Sequence, residues 1–230
     1  MTPKLTILCT ALLLFFGSPR AQTWLDLSVA TSAADRIQNS LALRHQFSKR
    51  FRAGLELQAS HPRYRFIEAR PIREGYSFAF SLPLRLTIQE SKRMRLDLFG
   101  RLGGRIQGII DPDENDQRDS ILNSAAVLVE PGLLITIKAS DRLHFLTGIT
   151  FPILYEVSPG RLLENQTNAI RAGASYRLGD RSVLFAQALT GPATGASGDS
   201  HKYHWGLHAG VRFRLAGERS ATELSIAPSF

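Results

Sequence analysis

Beyond residue 21 the 230-residue chain has no cysteine; its single cysteine is Cys9. Disulfides, thiolate nucleophiles and cysteine-held metals are therefore excluded from residues 22–230. No apolar run is long enough to cross a bilayer as a helix, which takes about 20 residues. Beyond residue 21 the longest apolar stretches are short, and Arg, Glu or Gly breaks each one. No Gly-x-Ser-x-Gly elbow occurs. No set of residues completes a catalytic or metal-binding constellation, so no catalytic residue, metal or cofactor is assigned, and an enzyme is not expected. Acidic residues are the scarcer charge, 20 against 28 Lys and Arg, a net of +8 that stays at +6 without Lys4 and Arg20. Such a balance suits nucleic acid or anionic lipid.

The N-terminus decides between those partners. Lys4 precedes a twelve-residue, largely apolar run, Leu5 to Phe16, closed by Gly17-Ser18-Pro19. A basic start, a short apolar core and small residues are the pattern of a secretory signal peptide. Residues 1–21 are expected to be removed after Ala21. An exported chain points away from nucleic acid and toward lipid headgroups.

Period-two alternation is abundant. From Tyr203 to Leu215 every second residue is apolar, and His204, Gly206, His208, Gly210, Arg212 and Arg214 stand between. The row Tyr76, Phe78, Phe80, Leu82, Leu84, Leu86, Ile88 faces away from Ser77, Ser81, Arg85 and Thr87. Such alternation marks strands with one apolar and one polar face. Ten strands follow, over residues 24–30, 41–47, 51–59, 76–88, 94–108, 125–137, 143–155, 170–178, 183–189 and 203–215, with eight and twelve as bounds. The faces of 183–189 stay open. The links at 48–50, 90–93, 139–142 and 179–180 are short, and those at 61–74, 111–120, 158–167 and 191–202 are long. Strands of about ten residues fit a tilted crossing of a bilayer.

The export signal, the alternation, the aromatic strand ends and the terminal Phe230 resemble the small, porin-like outer-membrane β-barrel families of Gram-negative bacteria. The resemblance implies an all-β, transmembrane, antiparallel up-and-down barrel over 22–215, with 216–230 as a tail or final strand. It also implies residence in the cell outer membrane, contact with its lipid and lipopolysaccharide, insertion by the barrel-assembly machinery, and no nucleic-acid partner. No oligomeric state follows. The role it implies is structural or porin-like, for small solutes and possibly anions. The alternatives are a lipid or peptide hydrolase built on such a barrel, and a secreted soluble lipid-binding barrel of lipocalin type.

In a membrane barrel the apolar faces turn outward, so the polar faces line the lumen. The expected lining is Arg85, Arg95, Asp97, Arg101, Arg105, Glu130, Glu156, Arg171, Arg177, His204, His208 and Arg212, with Arg44, Arg52, Arg214 and Glu56 beside them. A basic conduit for anions is one reading of so many arginines. An interior filled by salt bridges is the other, and the size of a ten-stranded barrel favours it. Asp111, Asp113, Asn115 and Asp116 resemble the start of a calcium loop, but Asp116 stands where glycine is needed and Leu122 where the bidentate Glu should be. That segment reads as a solvated loop. His204 and His208 lie four residues apart, about 13 Å along a strand at ~3.3 Å per residue, too far to share one metal. Asp111, Asp113, Asp199 and His201 faintly resemble the carboxylate and His–Asp pairs of outer-membrane proteases, without a matched motif.

Overall fold

The computed structural model describes residues 22–32, 36–61, 63–64, 73–110, 124–158, 162–163, 166–167, 169–194 and 201–216. The expected signal segment 1–21, the acidic link at 111–120, Asp199 and residues 217–230 lie outside the described residues. Ten long strands follow in chain order: β1 (Gln22–Ser32), β2 (Arg36–Gln46), β3 (Phe51–Ser60), β4 (Arg73–Glu90) and β5 (Met94–Ile109). Then come β6 (Ser124–Lys138), β7 (Leu143–Thr150, continued by Ile153–Ser158), β8 (Ala169–Arg177), β9 (Ser182–Thr194) and β10 (His201–Ala216). Each pairs antiparallel with the next, and β10 returns to β1, Asp26 opposite Arg212 and Leu27 opposite Val211. The sheet is closed, so no edge strand is left to template aggregation.

Closure gives every strand an inside and an outside, and the alternation distributes residues between them. Phe78, Phe80, Leu82, Leu86 and Ile88 of β4 are exposed on the outer wall, as are Leu98, Leu102 and Ile106 of β5. Ser77, Ser81, Arg85 and Thr87, and Arg95, Asp97 and Arg101, are buried inside. An apolar outer belt around a polar interior is stable in a bilayer and not in water. This disposes of the soluble lipocalin-type alternative and makes the chain a membrane barrel. Exposed aromatics mark both ends of the belt, with Phe47, Phe51, Tyr176 and Phe213 near the short turns and Tyr76, Tyr155 and Trp205 near the long links. Aromatic rings favour the interfaces, where an apolar body meets polar headgroups.

The strands are longer than the alternation alone predicts. β2 starts at Arg36 rather than Leu41, leaving only 33–35 between β1 and β2. The link at 61–74 contains Arg63–Tyr64, which pairs with Arg73 and Glu74 at the start of β4. β9 continues to Thr194, into what reads as a Gly/Ser-rich link. Hydrogen bonds between neighbouring strands hold these polar stretches extended where no apolar pattern announces them. The stretch 143–155 is not one continuous strand: it breaks at Phe151-Pro152, where proline has no N–H to give the ladder. Phe151 N–H instead donates to the Pro131 carbonyl at 2.8 Å, and Ile153 resumes pairing opposite Val129. Proline also interrupts the β3–β4 ladder, which skips the position of Pro83 between Leu84 and Ser81. The faces of β9 are settled as well. Val183, Phe185 and Gln187 turn inward, and Leu184 outward.

Candidate functional site

Four buried carboxylates stand in the interior, Asp26, Glu56, Asp97 and Glu130, and all but Glu56 lie between two arginines each. Asp26 on β1, only 1% exposed, is gripped from both neighbouring strands. Arg212 of β10 makes a two-pronged contact, Nε donating to Oδ1 at 2.6 Å and Nη2 to Oδ2 at 2.8 Å. Arg44 of β2 donates from Nε to Oδ2 at 2.7 Å. A planar guanidinium matches a carboxylate edge, so this fork is the favoured geometry for a paired ion. The other end of Arg44 lies 3.8 Å from Glu56 Oε2, and Gln58 Nε2 donates to Glu56 Oε1 at 2.8 Å. Arg212 also sits over the Phe185 ring at 5.7 Å, and His208 meets that ring edge-on at 5.2 Å.

Glu130 on β6 is the second centre and is wholly buried. Arg101, directly opposite on β5, approaches Oε2 to 2.5 Å. Arg171 reaches from β8, past β7, and its Nη2 donates to Oε1. The Arg171 Nε donates in turn to Thr150 Oγ1 at 2.9 Å, and its guanidinium lies 5.9 Å from the centre of the Phe99 ring. Phe99, Leu134 and Leu146 form a small apolar cluster beside it, inside the barrel. Water is excluded on that side, and a low local dielectric strengthens the ion pair.

Asp97 on β5 is the third. Thr87 Oγ1 donates to Oδ1 at 2.8 Å, and Arg95 Nε donates to Oδ2 at 3.1 Å. Arg85 Nη1 stands 3.5 Å from the same Oδ2, an ion pair without a hydrogen bond.

Of the expected lining residues, Arg85, Arg95, Asp97, Arg101, Glu130, Arg171, His208 and Arg212 are buried inside the wall. Arg105 and Arg177 are half-buried, as are Arg44, Arg52 and Arg214, and Glu56 is buried. Arg214 lies over Trp24 at 5.8 Å and donates from Nη2 to the Asp180 carbonyl. Glu156 and His204 have strand backbones, opposite Ala126 and Gly191. Their side chains, like that of His201, lie outside the described ones. Asp26 stands outside the expected lining although it carries the same signal. Asp26 alternates with Leu25 and Leu27 as Asp97 does with Leu96 and Leu98. The expected lining also leaves out Phe99, Leu134 and Leu146, although Phe99 falls in step with Asp97 and Arg101, Leu134 with Glu130 and Thr136, and Leu146 with His144 on the inward face. Among the described residues no group of three His, Cys, Asp or Glu comes together to hold a metal.

No protein-family model matches the chain, and no curated protein matches it by sequence. Solved structures do. The translocator domain of the autotransporter NalP from Neisseria meningitidis superposes with a TM-score of 0.51 at 12% identity, covering 92% of this chain and 96% of that one. The beta domain of the Bordetella autotransporter BrkA superposes with a TM-score of 0.51 at 12% identity, covering 85% and 100%. The NanC porin matches at a TM-score of 0.47 and 11% identity, over 83% and 100%. At these identities the likeness is one of fold, which this chain shares with outer-membrane β-barrels, and folds of this kind host unrelated functions.

Proposed function

We propose that this chain is an outer-membrane barrel closed by its own ion pairs, with a structural role and no chemistry of its own. The carrying observation is the burial of the lumen charges. Asp26, Glu56, Asp97, Glu130 and Arg171 are each at most 1% exposed. A water-filled pore wets its lining charges, whereas these are covered by one another and by neighbouring side chains. Size supports the reading. Barrels of about eight strands are just filled by side chains, and aqueous channels open at about sixteen. Ten strands lie near the filled end. On this reading residues 1–21 serve export, and the outer belt contacts lipid and lipopolysaccharide.

Planar-bilayer recording of the purified, detergent-folded protein tests it. The expected result is silence. Discrete steps that turn from anion-selective to non-selective in Arg101→Ser would replace the closed barrel by a porin-like one. Hydrolysis of a lipid or peptide that is abolished in Asp113→Ala or His201→Ala would replace it by an enzyme.

A further inference from the structure

The three carboxylate centres are not equally balanced. Glu130 takes both of its arginines close on its two oxygens, and Asp26 takes a two-pronged fork and a third hydrogen bond. At Asp97 two arginines, Arg85 and Arg95, share one oxygen of the carboxylate. Arg52 stands directly opposite Arg85 across β3 and β4, and Arg95 is two residues from Asp97 on β5. Like charges directly opposite one another across strands destabilise a sheet. Arg85 lies within electrostatic reach of Arg95, Arg52 and Arg44 besides Asp97.

The single acid is already occupied. Its Oδ1 accepts from Thr87 and its Oδ2 from Arg95. The Arg85 side chain is 5% exposed, and its Nε, Nη1 and Nη2 all lack a hydrogen-bond partner. Arg95 Nη2 lacks one too. A buried cation with five unused N–H donors destabilises the fold unless something accepts from it. Arg85 and Arg95, on adjacent strands and both beside Asp97 Oδ2, thus hold spare guanidinium N–H donors of the kind that bind an oxyanion.

The cluster also lies where an anion can arrive. Arg52 and Arg95 are each the second residue of their strand, about 3 Å beyond its first residue at ~3.3 Å per residue. They therefore sit just inside the mouth formed by the short turns. That mouth carries Lys49, Arg50, Lys92, Arg93, Arg142 and Arg181, all exposed. Against the exposed Glu90, Asp141 and Asp180 of the same turns these cations leave the mouth net positive, which raises the local concentration of counter-ions.

We propose that the short-turn mouth holds a binding site for one small inorganic oxyanion, phosphate in class, accepted by Arg85 and Arg95 with Arg52 beside them. The site goes beyond the closed-barrel reading. It lies at the mouth and stands whether or not the lumen conducts. Conductance would overturn the functional reading and leave the site, whereas absence of anion binding would do the reverse.

The test is equilibrium dialysis of the detergent-folded full chain against radiolabelled phosphate, at constant ionic strength made up with gluconate. One saturable phosphate per barrel is expected, with Kd weakened at least tenfold in Arg85→Gln and unchanged in His61→Gln, whose side chain is exposed at the opposite mouth. Gel mobility before and after heating shows that each variant is folded. If Arg85→Gln does not fold, Arg95→Gln replaces it with the same expectation. A second readout separates an anion site from a purely structural ion pair. In gluconate alone Arg85→Gln should raise the denaturation midpoint, because Asp97 keeps Arg95 and Thr87 while the excess buried cation is gone; in phosphate it should lower it. No saturable binding, equal binding by wild type and Arg85→Gln, or a midpoint lowered alike in both salts overturns the proposal. The last outcome assigns Arg85 to Asp97 alone.

Discussion

Glu130 and Asp97 stand on adjacent strands and each meets two arginines, yet they do different work. Arg101 and Arg171 close directly on the two oxygens of Glu130, with Thr150 and the Phe99, Leu134, Leu146 cluster sealing the site. At Asp97 one oxygen takes Thr87, the other Arg95, and Arg85 is left 3.5 Å away with no hydrogen bond. Depth accompanies this contrast. Arg101, opposite Glu130, is seven residues beyond Met94, about 23 Å along the strand at ~3.3 Å per residue. Asp97 is three residues beyond it, near the mouth. A charge deep in the wall must be matched by the chain itself, because nothing else reaches it. A charge at the mouth can leave part of its compensation to solvent ions.

Four measurements can break or sharpen this contrast, from the largest expected effect to the smallest. Glu130→Ala strands two buried guanidiniums and should cost about 3–5 kcal/mol in a denaturant midpoint measured in detergent. Glu90→Ala, exposed at the end of β4, should move that midpoint very little. Equal, small effects for the two would remove Glu130 from the set of braces.

The outer wall supplies the next. Leu102 is exposed in the middle of β5, between Leu82 and Val129. Leu102→Arg places a cation on the lipid face and should cost about 2–4 kcal/mol for refolding into bilayers. Ala139→Arg, in the short 139–142 turn, should cost nothing measurable. An undiminished stability of Leu102→Arg would mean that this wall does not face lipid.

Asp97→Ala should also destabilise the barrel, by less than Glu130→Ala, and added phosphate should restore part of the midpoint. Phosphate should restore none of the loss in Glu130→Ala, whose arginines lie too deep. Identical salt responses in the two variants would erase the distinction between brace and mouth.

The smallest effect is expected in the 139–142 turn. A 2.7 Å contact from the Lys138 ammonium, and its charge, hold the exposed Asp141 carboxyl below the usual carboxylate range. A lowered folded value means the contribution is present above the unfolded value of about 3.9 and is lost as pH falls through the folded one. Asp141→Asn should therefore give a slight midpoint loss at pH 7 that vanishes near pH ~2. A loss that persists at acid pH would mean the pair is not its source.

The alternation of Tyr76–Ile88 and Tyr203–Leu215 was enough to announce an all-β chain with one apolar and one polar face, and counting such stretches came to ten. Period two is a local property of extended backbone, so residue order alone carries it. The same periodicity put Arg85, Asp97, Arg101, Glu130 and Arg212 on one side of the wall. What it left open was everything that needs a partner from elsewhere in the chain. Asp26 is bonded to Arg212, 186 residues away, and only closure of β10 on β1 makes them neighbours. The inward turn of Phe99, Leu134 and Leu146 follows the same alternation, but their meeting as one cluster from three strands depends on register. Which arginine receives a carboxylate and which is left over depends on cross-strand distances of a few ångströms, and closure of the barrel is what set them.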